Sequence, residues 1–165
     1  MIKKIKVLTL LAVSHGTIAV CAFMLGIYAL PILMAPNDPS SGSLALSIKN
    51  TRYVATISDD LIDSDWLHWG KGTFSIGDEY IVFQGTLAPG PDYRLYLSPS
   101  FVQTEADFKQ LKSTMIEMGE VNSFGNFILP LSNGVNEGVN IEHYNTVIIW
   151  CETFNQFITS AQFKN

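Results

Sequence analysis

The side chains in this sequence best suited to carry electrons or hold a cofactor are Cys151, His68 and His143. Cys151 lies in the run Thr146-Val-Ile-Ile-Trp-Cys-Glu-Thr-Phe154, and the only other cysteine, Cys21, sits in the apolar N-terminal segment. A lone thiol in an exported domain is either buried and inert or kept for redox or ligand chemistry. To work as a thiolate it needs a nearby cation, a second ligand or solvent access. The candidate second ligands are His68, in Asp65-Trp-Leu-His-Trp-Gly70, and His143, in Ile141-Glu-His-Tyr-Asn145. One cysteine with two distant histidines fits no compact zinc or copper spacing, so no metal site is assigned. By itself His68 reads as a neighbour packed between two tryptophans, and His143 as an exposed loop residue.

Other chemistries find less support. Asp59, Asp60, Asp63 and Asp65 cluster ahead of Trp66, but without the spacing or the glycine of an EF-hand loop, and they read as a solvated acidic turn. Gly70-Lys-Gly72 is too short to cradle a phosphate, and nucleophile-elbow, phosphate-loop and zincin motifs are absent. No catalytic set is recognised. The Cys-x-x-Cys-His motif of covalent c-type haem attachment is also absent.

The N-terminus decides where such a thiol would work. Met1-Ile-Lys-Lys-Ile-Lys6 is basic, and from Val7 to Asn37 no charged residue appears apart from His15. The apolar stretch to Met34 exceeds the roughly 20 residues that span a bilayer. The segment 1–35 is therefore expected to be a transmembrane signal-anchor, single-pass, with its lysines in the cytoplasm by the positive-inside rule. A signal peptide cut after Ala29 is the competing reading. Ile18-Ala-Val-Cys21 is a poor lipoprotein box because Val20 is bulky where a small residue is wanted. Residues 36–50 are expected to be a linker and 51–165 an exported, monomeric domain, periplasmic or extracellular. Of 10 lysines and arginines, Lys3, Lys4 and Lys6 precede the apolar segment, leaving 7 against 15 acids beyond it. That surface repels phosphate backbones, which disfavours nucleic acid as a partner.

The elements that must position Cys151 are mostly strands. Arg52–Ile57, Gly72–Ile76, Glu79–Gln84, Tyr93–Leu97, Phe124–Leu129, Thr146–Phe154 and Gln156–Phe163 are β-branched or aromatic runs. Breakers separate them, among them Gly77-Asp78, Pro89-Gly-Pro91 and Asn133-Gly134. The pattern predicts a mainly β fold, an antiparallel sandwich or barrel-like domain with one short helix, preceded by the transmembrane helix. The helix is predicted from Thr104, with a capping-box spacing to Asp107, and with Phe108, Leu111, Met115 and Met118 along one core-facing stripe. Within the Cys151 run, period-2 alternation puts Val147, Ile149 and Cys151 on one face and Ile148, Trp150, Glu152 and Phe154 on the other. Aliphatic neighbours favour a buried, protonated thiol.

Gly70-Lys-Gly-Thr-Phe74, Pro91-Asp-Tyr-Arg-Leu-Tyr-Leu-Ser-Pro99, Ser123-Phe-Gly-Asn-Phe-Ile-Leu-Pro130 and Tyr144–Phe154 follow one another as in the electron-transfer DM-thirteen domain, which this chain resembles from about residue 66 to 163. The Trp-Cys-x-x-Phe element carries most of the resemblance. It departs at Ile158-Thr-Ser-Ala161, where many members place a glycine. The resemblance implies an extracytoplasmic β domain, found in some proteins beside DOMON and b-type cytochrome modules. It also implies that Cys151 is the redox residue, as a naked thiol or as the holder of a prosthetic group such as haem. A donor of electrons would be a separate redox partner protein. Two functions follow: a membrane-tethered electron-transfer domain centred on Cys151, or a non-catalytic envelope module that binds protein or a small apolar ligand, with Cys151 structural.

Overall fold

The computed structural model describes residues 2–132 and 138–164. Eight strands form two four-stranded antiparallel sheets, ordered β1-β2-β3-β6 and β5-β4-β7-β8. The strands are β1 (Thr51–Thr56), β2 (Gly70–Gly77), β3 (Tyr80–Leu87), β4 (Tyr93–Ser98), β5 (Ile116–Val121), β6 (Phe127–Pro130), β7 (Thr146–Cys151) and β8 (Gln156–Gln162). The β2–β3 hairpin runs in unbroken register from Gly70↔Leu87 to Ile76↔Ile81. Gly72, at φ +148°, faces Gly85, and a Cβ on it would lie 2.4 Å from the Gln84 carbonyl oxygen. A larger residue would split the hairpin here.

Alternation sorts each strand's side chains into an inner and an outer face. Phe74, Phe83 and Phe127 form an aromatic cluster, with centroids 4.7 to 6.4 Å apart. In the other sheet Leu95 pairs with Ile149 and Leu97 with Val147, all fully buried. β7 is buried at all six positions because its outer face is covered too. Helix α3 (Glu105–Leu111) lays Phe108 flat on Trp150, centroids 3.9 Å apart and planes 7° apart, and Tyr96 meets the same ring edge-on. Such aromatic pairs add about 0.5–1.5 kcal/mol beyond their area. Thr104 caps α3, its hydroxyl accepting the Asp107 N–H at 3.0 Å.

The helical stripe expected over Phe108–Met118 does not persist. α3 ends at Leu111, a 3-10 turn covers Lys112–Thr114, and Met118 is a fully buried residue of β5. The Thr114 hydroxyl hydrogen-bonds the Leu111 carbonyl, a local side-chain bond of the kind that competes with helix continuation. The extended chain beyond Thr114 then pairs with β4, with a bulge near Gly119. Phe154 is likewise not on the strand, which stops at Cys151; it stands on the β7–β8 turn. The expected linker contains a short helix, α2 (Ser41–Ser47), capped by Ser40. Ahead of it Asp38 accepts the Asn126 backbone N–H at 3.1 Å and its side-chain amide at 2.9 Å, fastening the segment to the β5–β6 turn. The anticipated Asn133-Gly134 turn lies outside the described residues.

Helix α1 (Ile2–Met34) is long and apolar enough to cross a membrane, a test that a signal sequence also passes. At 1.5 Å per residue it extends about 50 Å. Its side chains are mostly exposed, but Ile27, Ala29 and Pro31 are half-buried where its C-terminal third lies across the end of the sandwich.

Candidate functional site

Cys151 is the last residue of β7, and its position follows from the ladders on either side. Across β4 it pairs with Tyr93, and across β8 with Gln156. Paired residues in an antiparallel ladder share a face, so Tyr93 and Cys151 stand side by side. The Tyr93 hydroxyl donates to the Ala88 carbonyl at 2.9 Å, which folds the 88–92 turn back over β4. Gly90 sits against that ring: a Cβ there would lie 2.5 Å from the tyrosine oxygen.

Two turns enclose the sulfur, and both are strained. Among the described residues only two non-glycine residues have positive φ: Asp92 at 52° in the β3–β4 turn and Asn155 at 51° in the β7–β8 turn. Asp and Asn are the residues that tolerate this conformation. The turns are tied together by the Glu152 N–H to the Asp92 carbonyl at 3.1 Å and by the Thr153 hydroxyl to the Asp92 carboxylate at 3.2 Å. The thiol of Cys151 donates to the Pro91 carbonyl at 3.0 Å. The backbone amides of Phe154 and Thr153 lie close enough to favour the ionised thiol.

These contacts pull the thiol in opposite directions. Burial pushes its pKa up, with the Asp92 and Glu152 carboxylates adding to the effect, while the Phe154 and Thr153 amides oppose it. The net direction is upward, so the resting group is a protonated thiol. Burial also raises the Tyr93 phenol, helped by the neighbouring Cys151 and Tyr28.

Cys151 is only 2 % exposed, yet it borders a cleft of about 230 Å³. Cys151, Tyr93 and Ile158 line its sheet side, His68 and Leu67 come from the β1–β2 loop, and Phe154 from the turn. Met24, Ile27 and Tyr28 of α1 line it as well. His68 is therefore brought to the same cleft as Cys151. Its Nδ1 lies 3.1 Å from the Asp65 carboxylate, which also accepts the backbone N–H groups of Leu67 and His68 at 2.7 Å. Asp65 thus shapes the loop that carries the imidazole. His143 does not line the cleft; it ends the 3-10 turn Ile141–His143, exposed, with Nε2 3.5 Å from the Asn140 amide.

Among the described residues no group of three His, Cys, Asp or Glu side chains is placed to hold a metal ion. The cleft is also below the about 300–1,000 Å³ of pockets that accept drug-sized ligands. A haem does not fit inside it with α1 in place, so the residues favour a naked thiol over a prosthetic group. The sequence did not single out Tyr93, Asp92 or the α1 residues as parts of this site. Pro91-Asp-Tyr93 was visible as a motif, but pairing Tyr93 with Cys151 requires the ladder register.

With the geometry in place, the comparisons define its class. The family described as Electron transfer DM13 matches residues 62–163. This covers more than half of the chain, and the chain belongs to that family. No curated protein and no solved structure matches it.

Proposed function

We propose that this chain is a membrane-tethered electron-transfer domain whose redox group is the Cys151 thiol, working in the periplasm or outside the cell. Family membership supports a redox-related role. The observation that carries the assignment to Cys151 is that the residue lines a cleft shared with the imidazole-bearing loop of His68. The α1 helix supports the tether, with Lys3, Lys4 and Lys6 on the cytoplasmic side. A single thiol exchanges electrons with a separate protein by attacking its disulfide as the thiolate. One S–S bond breaks, a mixed disulfide forms, and the partner's leaving sulfur takes up a proton. Pro91 holds the thiol proton until that encounter, and the Thr153 and Phe154 amides stabilise the negative sulfur. The partner would be a separate redox protein that carries the disulfide. His68, on the cleft, is the better candidate for an auxiliary group than His143.

The test is an equilibrium redox titration of the full chain in detergent against a monothiol couple, reduced and oxidised glutathione, which leaves a lone thiol as a stable mixed disulfide. A single titrating thiol that survives Cys21→Ser and vanishes in Cys151→Ala supports the proposal. A second reading, a non-catalytic module with Cys151 as core, draws on the thiol's low exposure and its satisfied bond to Pro91. Absence of any titrating thiol in the folded chain would favour it.

A further inference from the structure

The same helix that reads as a membrane span forms one wall of the Cys151 cleft, and this restricts what can enter. Counted from Lys6, the roughly 20 residues needed to cross the hydrocarbon core end near Gly26. Met24, Ile27 and Tyr28 bracket that point, and all three line the cleft. The mouth of the cleft therefore lies at the outer membrane–water boundary rather than out in solution. Its rim is apolar where a water-facing rim would be charged: Leu67 is 43 % exposed, Phe154 57 % and Tyr28 46 %. Of these, Tyr28 has the amphipathic ring that collects at the headgroup level. Among the described residues lining the cleft there is no lysine or arginine, so a carboxylate or phosphate headgroup would find no counter-ion. What the lining offers is a narrow apolar slot with a few polar groups, the His68 imidazole, the Gln156 amide, the Tyr28 hydroxyl and the thiol.

We infer that the cleft is entered from the bilayer and binds the ring of an uncharged, lipid-dissolved quinone. Its carbonyl oxygens meet these hydrogen-bond donors, and its apolar tail leaves along α1 into the lipid. The volume of about 230 Å³ suits a single substituted ring. The inference rests on the tethered reading above and adds the ligand class and the direction of entry. Asp59, Asp60, Asp63 and Asp65 belong to the same β1–β2 loop as Leu67. They keep the contact shallow and favour zwitterionic over anionic lipid.

The experiment uses the full chain in phosphatidylcholine vesicles, photolysed with a short-tailed azidoquinone and mapped by peptide mass spectrometry. The expected label falls on the peptides carrying Leu67-His68 and Phe154 and is suppressed by excess decylubiquinone. Ile27→Trp, which fills the cleft from the helix and leaves the sandwich untouched, should lose most of the label while its circular dichroism is unchanged. If a sulfonated, water-soluble quinone competes as well as decylubiquinone, entry from lipid is wrong. Label that is not competed, or that persists in Ile27→Trp, overturns the quinone site. These results count against the inference alone when the chain resists alkaline carbonate extraction; a chain released by carbonate removes the tether as well.

Discussion

At Cys151 the protein sets burial and two carboxylates against two backbone amides, and the first group wins. The consequence is measurable. Alkylation of Cys151 in the folded Cys21→Ser chain should have a pH midpoint above the about 8.5 of an unperturbed thiol. Asp92→Asn removes one of the charges that raise it, and asparagine tolerates the same positive φ. Its midpoint should move down toward the ordinary value, as followed by iodoacetamide rates across pH. Stability follows from the same shift. The unfolded thiol ionises first, so above about pH 8.5 the folded state loses stability until its own thiol ionises. Beside it on β7, the Trp150 indole N–H is buried and has no hydrogen-bond partner among the described residues. Trp150→Phe removes an unsatisfied donor while keeping a ring against Phe108, so its effect in urea melts should be small compared with the about 3–5 kcal/mol of a Trp→Ala truncation.

At the level of elements, the sandwich depends on α3 closing the outer face of the Cys151 sheet. Phe108→Ala opens a cavity over Trp150 and Tyr96 and should cost about 3–5 kcal/mol, read from the urea midpoint. The same face carries Tyr96, whose hydroxyl donates to Glu152, and Lys112, whose ammonium lies 2.9 Å from that carboxylate. Burial pulls Glu152 upward, but these two hydrogen bonds win and hold it below the usual carboxylate range. Their contribution is present at neutral pH and is lost as pH falls through the lowered value. Tyr96→Phe should therefore be less stable than the parent at neutral pH, and the gap in urea midpoint should narrow as the pH is taken below the usual carboxylate range. Seven of the eight strands were legible in the sequence, because β-branched and aromatic runs between Gly/Pro turns carry their own signal. β5 was not. Phe108, Leu111, Met115 and Met118 repeat at helical spacing, and only the unpaired edge of β4 explains why the chain extends after Thr114. Cys151 was legible as a candidate because its partner-free thiol is a matter of counting. Its surroundings were not, since Tyr93, His68 and Tyr28 meet it through ladder register and helix docking, which no local pattern records.

For the whole molecule, the arrangement joins an acidic β domain to an apolar helix that lies across the Cys151 end of the domain. The linker returns along the sandwich from Asp38, bound at Asn126, to Asn50, which packs beside Gly77 at the far end. The domain is thus held against α1 instead of hanging from a flexible tether, and the Cys151 cleft stays beside the helix. A Asp38→Ala chain should keep its fold but loosen this contact, seen as faster hydrogen exchange in residues 123–126. The central claim is that one sulfur, though almost wholly covered, exchanges electrons in the folded protein. The most direct measurement is intact mass of the native Cys21→Ser chain equilibrated in glutathione buffers of increasing oxidation. The account predicts a single glutathione adduct at Cys151 that forms and reverses with the buffer while the protein remains folded. A thiol that stays unmodified until urea unfolds the domain would contradict it.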